Sequence, residues 1–101
     1  MAGGVKKAGF FQITSQNSPK DKAVICEGYA TGASIFEATG LTVAVAFDSG
    51  NLLPVAQAIR VTRPELRLII AADDDWKSDL NIGLTKAREA AQKVGGYLAV
   101  P

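Results

Sequence analysis

The chain of 101 residues has no histidine and a single cysteine, Cys26. A disulfide within the chain is therefore impossible, and so are Cys/His zinc sites, histidine-based triads and imidazole acid–base catalysis. Any catalytic chemistry must run on carboxylates, lysines, hydroxyls or a bound metal. No apolar run approaches the roughly 20 residues of a membrane span, and the start, MAGGVKK, carries no apolar signal-peptide region. A cytoplasmic domain with no membrane partner is the expectation. Charge of one sign is also lacking: 11 basic and 10 acidic residues leave a formal net charge of +1, which gives no global pull toward nucleic acid.

What is present is apolar material, 48% of the residues, enough for one domain with one core. Residues 1–8 read as a leader or linker and residues 9–101 as the domain. A stop at Pro101, directly after an apolar run, suits a piece of a longer chain.

Hydrophobic spacing predicts alternating strands and helices. GFFQI within Val5–Thr14 suits a strand, and SQNSPKD a loop. Ala23–Cys26 is a short apolar strand, followed by a helix over Ala30–Thr39 that Gly40 stops. TVAVAF (Thr42–Phe47) is a third strand. Asn51–Arg63 is a second helix with Leu52, Val55, Ala56 and Ile59 as its inner stripe, ended by Pro64. Leu66–Ala72 reads as a strand covered on both faces. Leu84–Val94 is a third helix closed by Gly95-Gly96, and Tyr97–Val100 the last strand. The expected fold class is α/β, with a mostly parallel central sheet of four to five strands flanked by three helices.

Two of these strands end in acid: VIC-Glu27-Gly28 and LIIAA-Asp73-Asp74-Asp75. Ligands of open α/β sheets gather at the carboxyl ends of strands. If the two strands are parallel neighbours, their acids meet at one edge. Asp73 and Asp75 leave extended backbone on the same side, with Asp74 opposite. Paired carboxylates stay ionised when a cation neutralises them, and an all-oxygen set favours Mg²⁺ or Mn²⁺. The competing reading is a solvated loop leading into a helix cap. For Glu27 there are two readings: a general acid/base whose pKa partial burial raises, or a carboxylate set against the dipole of the following helix. Gly28 would let a substrate approach closely. Asp48 and Asn51, in FDSGN after the third strand, read as supporting groups of the site or as turn and cap residues. Lys77, Asn81 and Lys86 are candidates to hold phosphate oxygens, or else they balance charge. Cys26 reads as a small packing residue. Trp76 reads as a packing or rim residue.

These residues resemble the Toprim domain, shared by bacterial-type primases, topoisomerases, small nucleases and recombination-repair proteins. That family carries a glutamate after its first core strand and Asp-x-Asp after a later one. More narrowly, VICEGYATGASIFEATG, VAFDSGNL, IIAADDD and NIGLTKAREAA look like the Toprim segment of plasmid- and phage-type DNA primases. The resemblance implies a Rossmann-like fold, with Asp73 and Asp75 on Mg²⁺ and Glu27 as general acid/base or sharing a metal. It implies nucleotidyl transfer to a primer 3′-hydroxyl. The implied partners, met through the full-length protein, are a single-stranded DNA template, nucleoside triphosphates, and a helicase domain or replication protein. One departure stands out. Many primase relatives place an aspartate four residues after the glutamate, where this chain has Thr31.

Other readings remain open on residues alone. A Toprim nuclease or topoisomerase would share the acids, but no catalytic tyrosine environment stands out, since Tyr29 reads as a rim residue and Tyr97 as core. A receiver-like module could use Asp48 as phosphoacceptor, yet its late strand lacks the expected lysine. A metal-free interaction module would leave the acids as caps.

Overall fold

In the computed structural model the described residues are 6–7, 10–72 and 82–99. They form strands β1 (Lys6–Lys7), β2 (Phe10–Ile13) and β3 (Lys22–Cys26), helix α1 (Tyr29–Thr39) and strand β4 (Thr42–Val45). Helix α2 (Leu52–Thr62), strand β5 (Arg67–Ala71), helix α3 (Ile82–Val94) and strand β6 (Tyr97–Ala99) follow. The sheet order is β1-β2-β4-β3-β5-β6. β4, β3, β5 and β6 are mutually parallel, while β2 runs antiparallel to β4 and pairs with β1. The sheet is thus α/β and mostly parallel, as expected, with the two-residue β1 added at one edge.

Alternation along the central strands divides the core into two layers. Ala23 and Ile25 of β3 join Leu68 and Ile70 of β5 beneath α2 and α3. Val24 and Cys26 turn the other way, with Val43, Val45 and Ala71, and pack against Ala33 and Phe36 of α1. Helix α3 meets the sheet through Ala87, Ala90, Ala91 and Val94, all buried. That is one helical stripe of small residues, which lets the helix lie close.

Two of the glycines show what the missing side chain does here. Gly32 is the buried residue of α1, and a Cβ there would stand 2.9 Å from Val45 Cγ2 and 3.0 Å from Cys26 Sγ. Its missing side chain seats α1 on the sheet. Gly40 ends α1 at φ 72°, donating its N–H to the Phe36 carbonyl. The predicted stop is therefore a left-handed C-terminal cap.

Arg60 ties the far ends of α2 and α3 together. Its Nε donates to Val94 O at 3.0 Å, and its Nη1 to Pro64 O at 2.8 Å and Leu66 O at 2.6 Å. One expectation fails: Tyr97 is 62% exposed, not core. It sits on the edge strand β6, beyond the reach of α1, so neither sheet face buries it. No helix among the described residues is long and apolar enough to cross a membrane.

Candidate functional site

The two acid-tipped strands are parallel neighbours. β3 and β5 pair in register, with Cys26 opposite Ala71. Glu27 therefore stands level with Ala72, the residue before Asp73. The other neighbour, β4, is in register as well, with Cys26 opposite Val45. Glu27 thus ends the middle strand of three. The chain after β3 enters α1 on one face, whereas the chains after β4 and β5 enter α2 and α3 on the other. Adjacent strands whose following helices part to opposite faces open a crevice at their carboxyl ends, the usual ligand position in such sheets.

Glu27 is half-buried, and its backbone is fixed by an extension of the ladder. Ala46 N–H donates to Cys26 O at 2.8 Å, and Phe47 N–H to Glu27 O at 2.7 Å. Gly28, in extended backbone, precedes α1 and offers no side-chain cap. Neither α1 nor α2 carries an acid in its first turn. The α1 N-terminus keeps its partial positive charge for an anion, whereas the one-turn 3-10 segment Ser49–Asn51 that leads into α2 already has the Asp48 carboxylate at its start.

The FDSGN segment is a built turn. Asp48 Oδ1 accepts the Gly50 N–H at 2.9 Å, and Asp48 O accepts the Asn51 N–H at 3.0 Å. Asn51 occupies the N-cap position of α2 without a side-chain cap bond. Its Nδ2 donates back to Ala46 O at 3.2 Å, so it braces the end of β4. Asp48 and Asn51 shape the loop beside Glu27. Cys26 is fully buried, its Sγ 3.4 Å from Gly28 O, as expected of a packing residue. Thr31 lies half-buried in the first turn of α1. Lys86 is exposed on α3.

Asp73, Asp75, Lys77 and Asn81, with Asp74 and Trp76, lie outside the described residues. Among the described residues no three acids or cysteines gather to hold a metal. What can be tested is the setting. A half-buried carboxylate follows β3, level with Ala72, and the acids the sequence offers after Ala72 are oxygen donors only, with no histidine in the chain and its one thiol buried. That chemistry fits a hard divalent cation.

Sequence reasoning missed Phe47. It has φ 71°, the positive-φ residue other than glycine among those described, and its side chain is 54% exposed. A bulky residue in the left-handed region costs about 1–2 kcal/mol. Phenylalanine carries no sequence signal for that conformation; the following Asp-Ser-Gly turn was the only hint. Tyr29, at the first position of α1, is likewise 54% exposed. It meets Phe11 edge-on, with ring centroids 5.8 Å apart.

A cleft of about 530 Å³ between β2 and α2 contains none of the sequence candidates. Lys22, on its rim, stands five residues from Glu27 along extended chain, about 16 Å. It is separate from the crevice.

Comparison with known proteins follows the same lines. Residues 22–98 match the family model described as Toprim domain. Two curated proteins, each a DNA primase TraC from Escherichia coli, are 48% identical to this chain over 82 residues. The match covers 77% of this chain but only 8% and 6% of those proteins. No solved structure matches.

Proposed function

The chain belongs to the Toprim domain family, and from that premise we propose that it is the metal-binding catalytic core of a DNA primase. It serves Mg²⁺-dependent nucleotidyl transfer during primer synthesis in plasmid or phage DNA replication. The observation that carries this reading is the register of β3 with β5, which brings Glu27 level with the approach to Asp73-x-Asp75 at the sheet's switch point. The 48% identity to TraC primases supports the primase branch of the family.

In this reading Asp73 and Asp75 hold Mg²⁺, with Mn²⁺ as a substitute. The metal, when bound, lowers the pKa of the attacking 3′-hydroxyl and neutralises charge on the α-phosphate. Glu27 takes the hydroxyl proton or shares the metal, work that no histidine is present to do. The N-terminus of α1, which carries no acid in its first turn, attracts the triphosphate. Lys77, Asn81 and Lys86 assist in holding its oxygens.

The chain spans less than a tenth of the relatives it matches. Template strand, nucleoside triphosphates and a helicase domain or replication protein therefore meet this site through the rest of a parent protein, acting in the cytoplasm. The test is primer synthesis by such a parent carrying Glu27→Gln. A loss of a hundredfold or more is expected, on the order of general acid–base contributions. Undiminished synthesis would remove Glu27 from the mechanism.

A further inference from the structure

The near-zero net charge of the chain conceals a segregation that the fold creates. Glu27 and Asp48 follow the carboxyl ends of β3 and β4. Cations gather at the opposite end. Lys22 and Arg67 open β3 and β5, and Lys20 and Arg63 precede them. Lys22 and Arg67 are direct cross-strand partners, although like charges set opposite one another weaken a sheet. Neither has an acid as ion-pair partner among the described residues.

Two concavities meet at Lys22, which borders both. One is the cleft of about 530 Å³ beside α2, where Lys20, Lys22 and Arg63 share the wall with Thr14 and Thr42. Arg63 Nη2 donates to Lys20 O at 2.7 Å, which fixes the loop that carries Lys20. The other, about 440 Å³, lies over β5 and β6, where Lys22 and Arg67 border Ile69 and Tyr97. By alternation along β5 this second concavity is on the α1 face of the sheet, beside the part that α1 covers. Among the described residues no acid lines either one. Of the acids nearby, Glu65 is bonded to Arg63 at 3.2 Å, and Asp21 borders neither concavity.

A band of four cations without matching acids is complementary to a polyanion. The band passes over the edge of the sheet from one face to the other. A flexible single strand can follow that bend, whereas a duplex is stiff over this length. The wall beside the cations is polar, with the Thr14 and Thr42 hydroxyls bonded at 2.7 Å, and the exposed Tyr97 ring offers a π-face. These features favour a nucleic-acid strand over an acidic protein segment, which would need an apolar anchor site.

Resting on the primase reading above, we propose that the amino-terminal edge of the sheet, through Lys20, Lys22, Arg63 and Arg67, docks the phosphates of a single DNA strand. Tyr97 receives a base beside them. Lys22 stands about 16 Å along β3 from Glu27, so this grip is separate from the acid edge and independent of metal.

The test is fluorescence anisotropy of a labelled single-stranded oligothymidylate with the full chain in EDTA, so that no metal-bridged contact contributes. Lys22→Gln/Arg67→Gln removes two cations together with their repulsion, so Tm should hold or rise. Binding at low salt should weaken about tenfold or more, and the salt slope should fall by about 1.4, at about 0.7 per phosphate contact. Tyr97→Leu, which would still anchor an apolar peptide, should weaken binding about fivefold with the slope unchanged, and Tyr97→Phe should restore it. Undiminished binding by the Lys22/Arg67 double variant overturns the proposal. Equal binding of a polyglutamate peptide of matched charge overturns it in favour of an acidic protein partner. Binding that appears only with Mg²⁺, or not at all, also overturns it. Primer synthesis by the parent protein with Glu27→Gln tests the primase reading separately, so either can fail alone.

Discussion

Phe47 donates its backbone N–H to the Glu27 carbonyl at 2.7 Å while holding φ at 71°. The candidate acid/base and the strained aromatic are thus one backbone unit, joined across the ends of β3 and β4. Any change that frees one releases the other. Replacing Phe47 by alanine keeps the left-handed strain, whereas glycine removes it. Phe47→Gly should therefore be more stable than Phe47→Ala by about 1 kcal/mol, measured by urea denaturation. Equal stability would mean that the backbone relaxes freely.

Gly32 should resist even alanine. A helical Gly→Ala change normally gains about 1 kcal/mol. Here the new Cβ would press on Val45 Cγ2 at 2.9 Å and Cys26 Sγ at 3.0 Å. Overpacking typically costs 1–3 kcal/mol, so a net loss of about 1 kcal/mol is expected. Val45→Ala should cost less in the Gly32→Ala background than alone. A double-mutant cycle on thermal unfolding checks this coupling.

Arg60→Met keeps the apolar stem and removes the guanidinium that caps Val94, Pro64 and Leu66 carbonyls. A loss of about 2 kcal/mol is expected, lowering Tm by roughly 10 °C. Arg60→Lys should not restore it, because one ammonium cannot reproduce the planar fork.

Glu65 gives a small pH effect of known sign. Its carboxyl is held below the ordinary range by its own backbone N–H and by Arg63, 3.2 Å away. A depressed folded-state pKa contributes stability above the unfolded value that is lost as pH falls through the folded one. The group is fully exposed, so the effect is slight and screened by salt. Glu65→Gln should leave Tm at neutral pH almost unchanged and flatten its decline at acid pH.

Much of the fold was legible because each core strand carried a short β-branched run and each helix an apolar stripe. Leu52, Val55 and Ala56 are buried as their spacing required. Helix ends were legible where chemistry marks them, as at Gly40 and before Pro64. Tyr97 misled because aromatic identity does not distinguish a central strand from an edge. Asn51 was read as a cap by type, yet its amide turns back to Ala46, a choice set by tertiary geometry. The neighbouring of β3 and β5 was expected only conditionally, since strand order is decided by crossovers that no local pattern records. The strain at Phe47 left no trace in composition at all.

The central claim is that Glu27 and the Asp73/Asp75 pair share one divalent cation site. The direct measurement is titration of the chain with Mg²⁺, followed by backbone amide NMR shifts at Glu27, Gly28 and Phe47. The account predicts saturable shifts at these three residues, abolished by Asp73→Ala/Asp75→Ala although the substitutions lie 46 and more residues from Glu27 along the chain. Shifts that persist in the double variant, or no shifts with Mg²⁺ or Mn²⁺, would contradict it.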